Sequence, residues 1–395
     1  ARRPILEIAV KNFLENQSFQ ADFKHFEKSN RLWLDDFAEF MAIKEHFGNQ
    51  ALQKWDDKKA VARDPKTLEK YRTMLVDQIQ YFKVTQYFFF KQWSELKHYA
   101  NQKGIKIIGD MPIYVAADSV EVWTKPELFQ LDEERNPLFV AGVPADQFSA
   151  TGQLWGNPLY AWEEHKKQGY AWWIHRIEES FKIYDVLRID HFKGFSDYWQ
   201  VDGKAEVAKD GSWQPGPGYD LFKAVKEQLG DLPIIAEDLG NIDDKARKLL
   251  TDCNYPGMKI LQFGFEDVSG ESLDSPHYCI PHSIVYTGTH DNDVTNGWYN
   301  SLTEQQQQYI NDYTHRHEDE SICQAMIRQL FATVSNTAIA TMQDVLDLPA
   351  SSRMNVPSTI GGNWQWRMQQ SDLTQDKKDF LAKMTTLYQR ANQEK

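Results

Sequence analysis

Three short runs end an apolar stretch in acidic groups: Arg188-Ile189-Asp190-His191, Ala236-Glu237-Asp238 and Thr289-His290-Asp291-Asn292. On an extended strand, Arg188 and Asp190 are two residues apart and project to the same side. A carboxylate beside such a cation stays ionised, whereas one in an apolar or anionic setting keeps its proton. A pair divided in this way can perform acid-assisted displacement at the anomeric carbon of a sugar. With the carboxyl groups ~5 Å apart, the displacement retains configuration through a covalent glycosyl intermediate. One acidic strand end alone is as readily a cap for the helix that follows it. Three of them, with tryptophan-bearing segments between, favour chemistry.

The composition narrows the class. The chain has 395 residues, 44 of them Lys or Arg and 57 Asp or Glu, for a formal charge of −13. That balance, without a basic stripe, argues against nucleic acid as a partner. No apolar run approaches the ~20 residues of a membrane span, so a soluble protein is expected. Cys253, Cys279 and Cys323 are widely spaced and match neither a metal-ligand pattern nor an even disulfide framework, which suits a reducing cytoplasm. Aromatic residues make up 13%. Many of the tryptophans stand beside Gly, Pro or Asn, where flat rings on loops would suit the flat faces of sugars.

The elements that must position these groups fall into two grammars. Residues 1–104 carry apolar residues at helical spacing (Ile5, Ile8, Ala9, Phe13; Trp33, Leu34, Phe37, Phe40, Met41). A helix over 86–103 is expected to bury a stripe of Phe89, Phe90, Trp93, Leu96 and Ala100 and to stop at Gly104. Beyond Gly104, short apolar strands alternate with helices: 105–108, 185–189, 233–236, 258–263, 283–286 and 338–342. No Gly-rich phosphate turn follows any strand, so an open nucleotide-binding sheet is disfavoured. Carboxylates converging from several strand ends are the layout of a (β/α)8 (TIM) barrel. The expected organisation is a helical subdomain at 1–104 inserted in the barrel, barrel strands over 105–350 with loop insertions at 116–170 and 196–220, and a C-terminal loop and helix over 351–395.

At this point a family resemblance becomes specific. The runs 188–195 (Arg-Ile-Asp-His-Phe-Lys-Gly-Phe), 235–240 (Ile-Ala-Glu-Asp-Leu-Gly) and 288–292 (Gly-Thr-His-Asp-Asn) resemble the active-site motifs of the amylomaltases. These are 4-α-glucanotransferases, or disproportionating enzymes, of the α-amylase clan. Residues 142–146 and 149–158 resemble that family's characteristic loop. Gly109-Asp110-Met111-Pro112 resembles its first acidic strand end, and 357–359 with 363–367 its C-terminal signature.

The resemblance implies that Asp190 is the nucleophile, Glu237 the general acid/base and Asp291 the group that binds hydroxyls of the distorted sugar. It implies that Arg188 keeps Asp190 ionised and that His290 donates to sugar hydroxyls. Gln153, Trp155 and Asn157 would contact glucose units. Asp110 is a hydrogen-bonding scaffold, and His191 either lines an acceptor subsite or packs beneath a loop. Gln147 stands where some members carry an aromatic residue. Maltooligosaccharides and α-1,4-glucans are the implied substrates, with neither metal nor organic cofactor required. A hydrolase built on the same carboxylates and a non-catalytic glucan-binding protein are the rival readings.

The chain starts at Ala1, inside an expected helix. Its six strands align with strands three to eight of the family barrel. The expectation is therefore that the first strands are absent, and that the chain expressed alone is poorly stable or inactive, since an opened barrel exposes two sheet edges.

Overall fold

A computed structural model describes residues 2–16, 20–145, 151–240 and 242–391. The chain divides into two compact units, one of Ala1–Ile234 with Asp244–Cys253 and the other of Ile235–Asp243 with Asn254–Lys395. Among the described residues no helix is long and apolar enough to cross a membrane.

The first unit opens with helices Arg3–Glu15, Gln20–Ser29, Arg31–His46, Pro65–Met74 and Val76–Gln102. The last of these is ten residues longer at its start than the expected 86–103. Its buried stripe also lies earlier: Tyr81, Val84 and Tyr87 pack with Val10, Phe13 and Phe23, while Phe89 and Leu96 are about half exposed. Periodicity marks a helix's apolar stripe, but the neighbouring helices decide which part of it is covered. Gly104 (φ 73°) ends the helix. The Ile105 N–H donates to Ala100 and the Gly104 N–H to Asn101, which satisfies the last carbonyls in the Schellman manner.

Strand β1 (Ile108–Met111) pairs in parallel with β4 (Val186–Ile189), Asp110 opposite Arg188. It begins three residues later than the sequence pattern placed it, because the Asp185 carboxylate takes the Ile107 N–H (2.8 Å) before the ladder starts. Asp110 therefore lies within the strand. The segments 116–170 and 196–220 are not the irregular loops expected. They hold β2 (Phe139–Val143), β3 (Gln153–Pro158), β5 (Asp197–Asp202) and β6 (Ser212–Pro215), an antiparallel sheet in the order β3-β2-β5-β6, with helices Val120–Thr124 and Trp162–Lys167. These strands lack strict alternation and carry Gly, Pro and Trp. Cross-strand pairing makes them strands, and a local pattern does not record that.

Strand β7 (Ile234–Ala236) leads into the second unit, where β8 (Gly257–Ile260), β9 (Ser283–Tyr286) and β10 (Thr337–Ile339) pair in parallel with β9 central. Two strand ends are shorter than expected: Leu261–Gly264 and Met342–Val345 are helical turns. Helices Thr295–Ser301, Glu304–Thr314 and Ile322–Ala332 cover the sheet, burying Leu261, Phe265, Val285, Trp298, Met326 and Leu330 together. Capping boxes at Thr303/Gln306 and Ser321/Gln324 start two of the helices.

His165 is buried in the first unit at 1% exposure. Its Nε2 lies 3.1 Å from the Leu128 carbonyl, and Nδ1 is buried with no hydrogen-bond partner. Burial pushes its pKa down from 6.5 to about 4, against the pull of that hydrogen bond. Between these values the unfolded chain binds more protons than the folded one, so stability falls as the pH drops through the window. Its contribution approaches roughly 3 kcal/mol below pH ~4. Urea melts at pH 7 and pH 4.5 should show this loss, and His165→Gln should lose less over the same interval.

Candidate active site

The candidate residues of the first unit gather around one buried cation. Arg188 and Asp110 face each other across β4 and β1. The Arg188 Nη1 lies 2.6 and 2.7 Å from the two Asp110 oxygens and 3.0 Å from Asp190 Oδ1. The guanidinium side chain is 10% exposed, whereas both carboxylates are 42% exposed. The Asp190 N–H donates to the Met111 carbonyl (3.0 Å), which carries the β1–β4 ladder one residue past its end.

The chain then turns sharply. His191 adopts the left-handed conformation (φ 51°), a conformation that costs a non-glycine residue about 1 kcal/mol or more. The turn is held by a 3-10 helix, Phe192–Phe195, whose rings pack on Trp173 and Phe222 with centroids 5.1 Å apart. Gly194 gives the His191 ring its room: a Cβ there would come within 3.0 Å of the imidazole and 2.8 Å of Ile113. Burial, then the nearby Lys193 cation, push the His191 pKa down to about 4, so the ring is neutral at pH 7.

Gln153, Trp155 and Asn157 lie on β3, whose alternation is interrupted by Gly156 (φ 76°) and by a register shift against β2 between Leu154 and Pro158. The Trp155 Nε1 donates to the Gln153 amide oxygen (3.3 Å), and the Asn157 amide donates to the Val115 carbonyl (2.8 Å). The Trp155 ring meets His191 edge-on at 4.8 Å and stays 37% exposed. These three residues, expected on a loop, are thus carried by a strand that brings Trp155 against His191. Gln147 lies outside the described residues. Trp213 is on β6, partly exposed, with the Lys193 ammonium 4.7 Å over its ring.

The second unit carries Glu237, His290 and Asp291. Glu237 directly follows β7, and its Oε1 accepts the Leu239 N–H at 2.8 Å. The next residue, Asp238, accepts the Met258 N–H at 2.6 Å. Its carboxyl fills the space where residue 257 would carry a side chain: a Cβ on Gly257 would lie 2.4 Å from Asp238 Oδ2. Burial raises the Asp238 pKa, while the Met258 N–H and Lys259 pull it down. His290 and Asp291 sit in a turn after β9, in which Asn292 Oδ1 accepts from the Thr289 N–H and hydroxyl (2.8 and 2.9 Å). His290 Nε2 is 3.3 Å from Asp291 Oδ2, and its ring packs on Trp364 at 5.0 Å.

Four residues that local reading missed hold this turn. Buried Asp344 accepts from the Thr287 hydroxyl (2.6 Å) and the Thr295 N–H (2.8 Å). The Gln262 amide donates to the Asp293 carbonyl (2.9 Å). Arg353 Nη2 donates to the Asp291 carbonyl and the Asn355 amide to Asp291 Oδ1, both at 2.6 Å. These partners stand 31 to 64 residues from the groups they hold, so no spacing reveals them.

Among the described residues, the grouping close enough to hold a metal ion is His175, Glu178 and Glu179. Helical spacing alone brings these together on the helix Ala171–Ile183, with His175 Nδ1 3.8 Å from each carboxylate. A cavity of about 420 Å³ in the first unit, lined by Trp33, Phe89, Phe90, Trp172 and Arg176 among others, includes none of the expected site residues.

Gly257→Ala should push the Asp238 carboxyl out of its seat and loosen Glu237 beside it. The expected outcome is a loss of about 1–3 kcal/mol and at least about tenfold in turnover. Asp238→Ala should reproduce the kinetic part of that loss. Parallel melts and initial rates check both.

Comparison with known proteins follows the same residues. The glycoside hydrolase family 77 model, described as 4-alpha-glucanotransferase, matches residues 1–374. A 4-alpha-glucanotransferase of Streptococcus pneumoniae serotype 4 is 52% identical over 394 residues, spanning 100% of this chain and 78% of that protein. The 4-alpha-glucanotransferase of Clostridium butyricum is 41% identical over 390 residues, 98% of this chain and 79% of that protein. Among solved structures, amylomaltase from Streptococcus agalactiae in complex with acarbose superposes with a TM-score of 0.97 at 58% identity, covering 99% of this chain and 79% of that one. Amylomaltase from Corynebacterium glutamicum, at 16% identity and a TM-score of 0.65, shares the fold alone. The acidic strand ends thus sit in the (β/α)8-barrel fold of the amylomaltases, and the chain belongs to glycoside hydrolase family 77, the 4-alpha-glucanotransferases.

Proposed function

We infer that the chain moves α-1,4-glucan segments between maltooligosaccharides by double displacement, with Asp190 as nucleophile and Glu237 as general acid/base. The observation that carries this assignment is the Arg188 nitrogen held 3.0 Å from Asp190 Oδ1. That contact fixes the carboxylate by one oxygen, and Oδ2 is the oxygen assigned to the attack. In the first step the Asp190–C1 bond forms, the C1–O4 bond of the donor breaks, and Glu237 gives its proton to the departing O4. In the second step the 4-hydroxyl of an acceptor glucan attacks C1, Glu237 takes its proton, and the Asp190 ester bond breaks. Configuration at C1 is inverted twice and so retained.

The remaining roles are those that the family resemblance implies, and local contacts support them. Asp291 and His290 bind hydroxyls of the reacting sugar and tighten on it as charge develops. Trp155 offers an exposed indole to a glucose unit, with Gln153 bonded to its Nε1 and Asn157 further along the same strand. Asp110 shares the Arg188 charge and positions it. Neutral His191 supports Trp155 and can accept or donate a hydroxyl hydrogen bond on the acceptor side. The free thiols Cys253, Cys279 and Cys323 are compatible with the reducing cytoplasm, where we place the enzyme.

Incubation with maltotriose tests the reading. Free glucose and longer maltooligosaccharides should appear together while total reducing ends stay constant. Rising reducing ends would replace transfer with hydrolysis. Asp190→Ala and Glu237→Gln should each lower turnover by about a thousandfold or more. Acarbose binding that survives in both variants, with no turnover in the parent, would instead make this a glucan-binding protein.

A further inference from the structure

Asp291 is gripped from a segment more than 60 residues further along the chain. The Asn355 Nδ2 donates to Asp291 Oδ1 at 2.6 Å. Arg353 reaches both backbones, its Nη2 donating to the Asp291 carbonyl (2.6 Å) and its Nε to the Asn355 carbonyl (2.9 Å). The same stretch is closed by the Trp364 N–H, which donates to the Met354 carbonyl (2.7 Å). The Trp364 ring in turn covers His290. One guanidinium therefore fixes the distance between two backbones, and one amide spans that distance to a carboxylate.

We propose that Asn355 is a positioning residue for the transfer reaction: its amide sets the rotation of the Asp291 carboxylate, so that Oδ2 faces His290 and the sugar hydroxyls. This rests on the assignment of Asp291 above. The physical case is one of geometry. A carboxylate on a short side chain turns about χ2 with little resistance. A donor on Oδ1 selects one orientation, and a well-oriented group contributes far more than a rotating one. Asn suits this place because its NH2 donates without adding charge. Among the described residues, the titratable His290 faces Asp291 from its own turn and the charged Arg353 from segment 353–355.

Two substitutions test it. Asn355→Ala removes the donor. The kcat for glucose release from maltotriose should fall about 100-fold, with KM changed less than about threefold. Asn355→Asp keeps the shape but sets two carboxyls at hydrogen-bond distance. Such a pair shares one proton and repels when both ionise. Activity should persist at acidic pH and disappear over about pH 5–8, a displacement to lower pH of the alkaline limb that loss of the Glu237 proton gives the parent. A structural role would lower activity without moving that limb. Melting curves accompany each variant. If the alanine variant does not fold, the isosteric Asn355→Asp decides. If neither folds, or if the Asp variant follows the parent's pH profile, or if Asn355→Ala keeps kcat within twofold, the proposal is overturned. Asp291→Asn separates the two claims: full activity in that variant removes the role of Asp291 itself, whereas its collapse alongside an indifferent Asn355 removes only the positioning role.

Discussion

A buried guanidinium must be neutralised where it sits, and the first unit is organised around that demand. Arg188 is nearly sealed from solvent, and a single nitrogen serves both oxygens of Asp110 and one of Asp190. Removing Asp110 would leave the sealed guanidinium poorly compensated, at a cost below the roughly 3–5 kcal/mol of a fully buried pair because both carboxylates are partly exposed. The pair therefore ties β1 to β4 at the end that matters, and it fixes where the Asp190 carboxylate can be. The turn at His191, the 3-10 helix after it and the aromatic packing beneath are the means of ending a strand so abruptly without losing that geometry.

The second unit holds its candidate residues through hydrogen bonds from distant side chains. Its candidate residues stand on a turn after β9, and a turn is a poor support unless its backbone is pinned. Asp344, Gln262, Arg353 and Asn355 do the pinning through backbone carbonyls, an N–H, a hydroxyl and a carboxylate. The pattern is consistent in both units. The groups that would meet substrate are partly exposed, and the groups that hold them are buried or engaged with backbone. Rotamers locked from behind are what keep a reactive carboxylate within a fraction of an ångström of its working place.

The tryptophans divide along the same line. Trp55, Trp123 and Trp173 are fully buried and build the interior, whereas Trp155, Trp213 and Trp364 are exposed. Each of the exposed three leans on a polar or charged neighbour: His191, Lys193 and His290 respectively. An indole held at its edge or back presents a rigid flat face to solvent at little entropic cost, which is what recognition of a glucose ring requires.

Much of this was legible beforehand. Alternating strands and helices after Gly104, acidic strand ends, and long motifs in order were enough to name the fold and the family. The Arg188–Asp190 pairing followed from the two-residue repeat of a strand. Those features are local, and local chemistry is written in spacing. What local spacing could not reveal was set by contacts between distant segments. The sheet β3-β2-β5-β6 exists because four unpromising strands find one another, which turned expected loops into a platform for Trp155. The buried stripe of helix Val76–Gln102 lies where other helices happen to cover it. Arg353 and Asn355 reach Asp291 across more than 60 residues, and Asp238 reaches residue 257 only because that residue is glycine. The sequence by itself determined which groups could react; tertiary packing decided how each is held, because orientation depends on partners that no short stretch of chain contains.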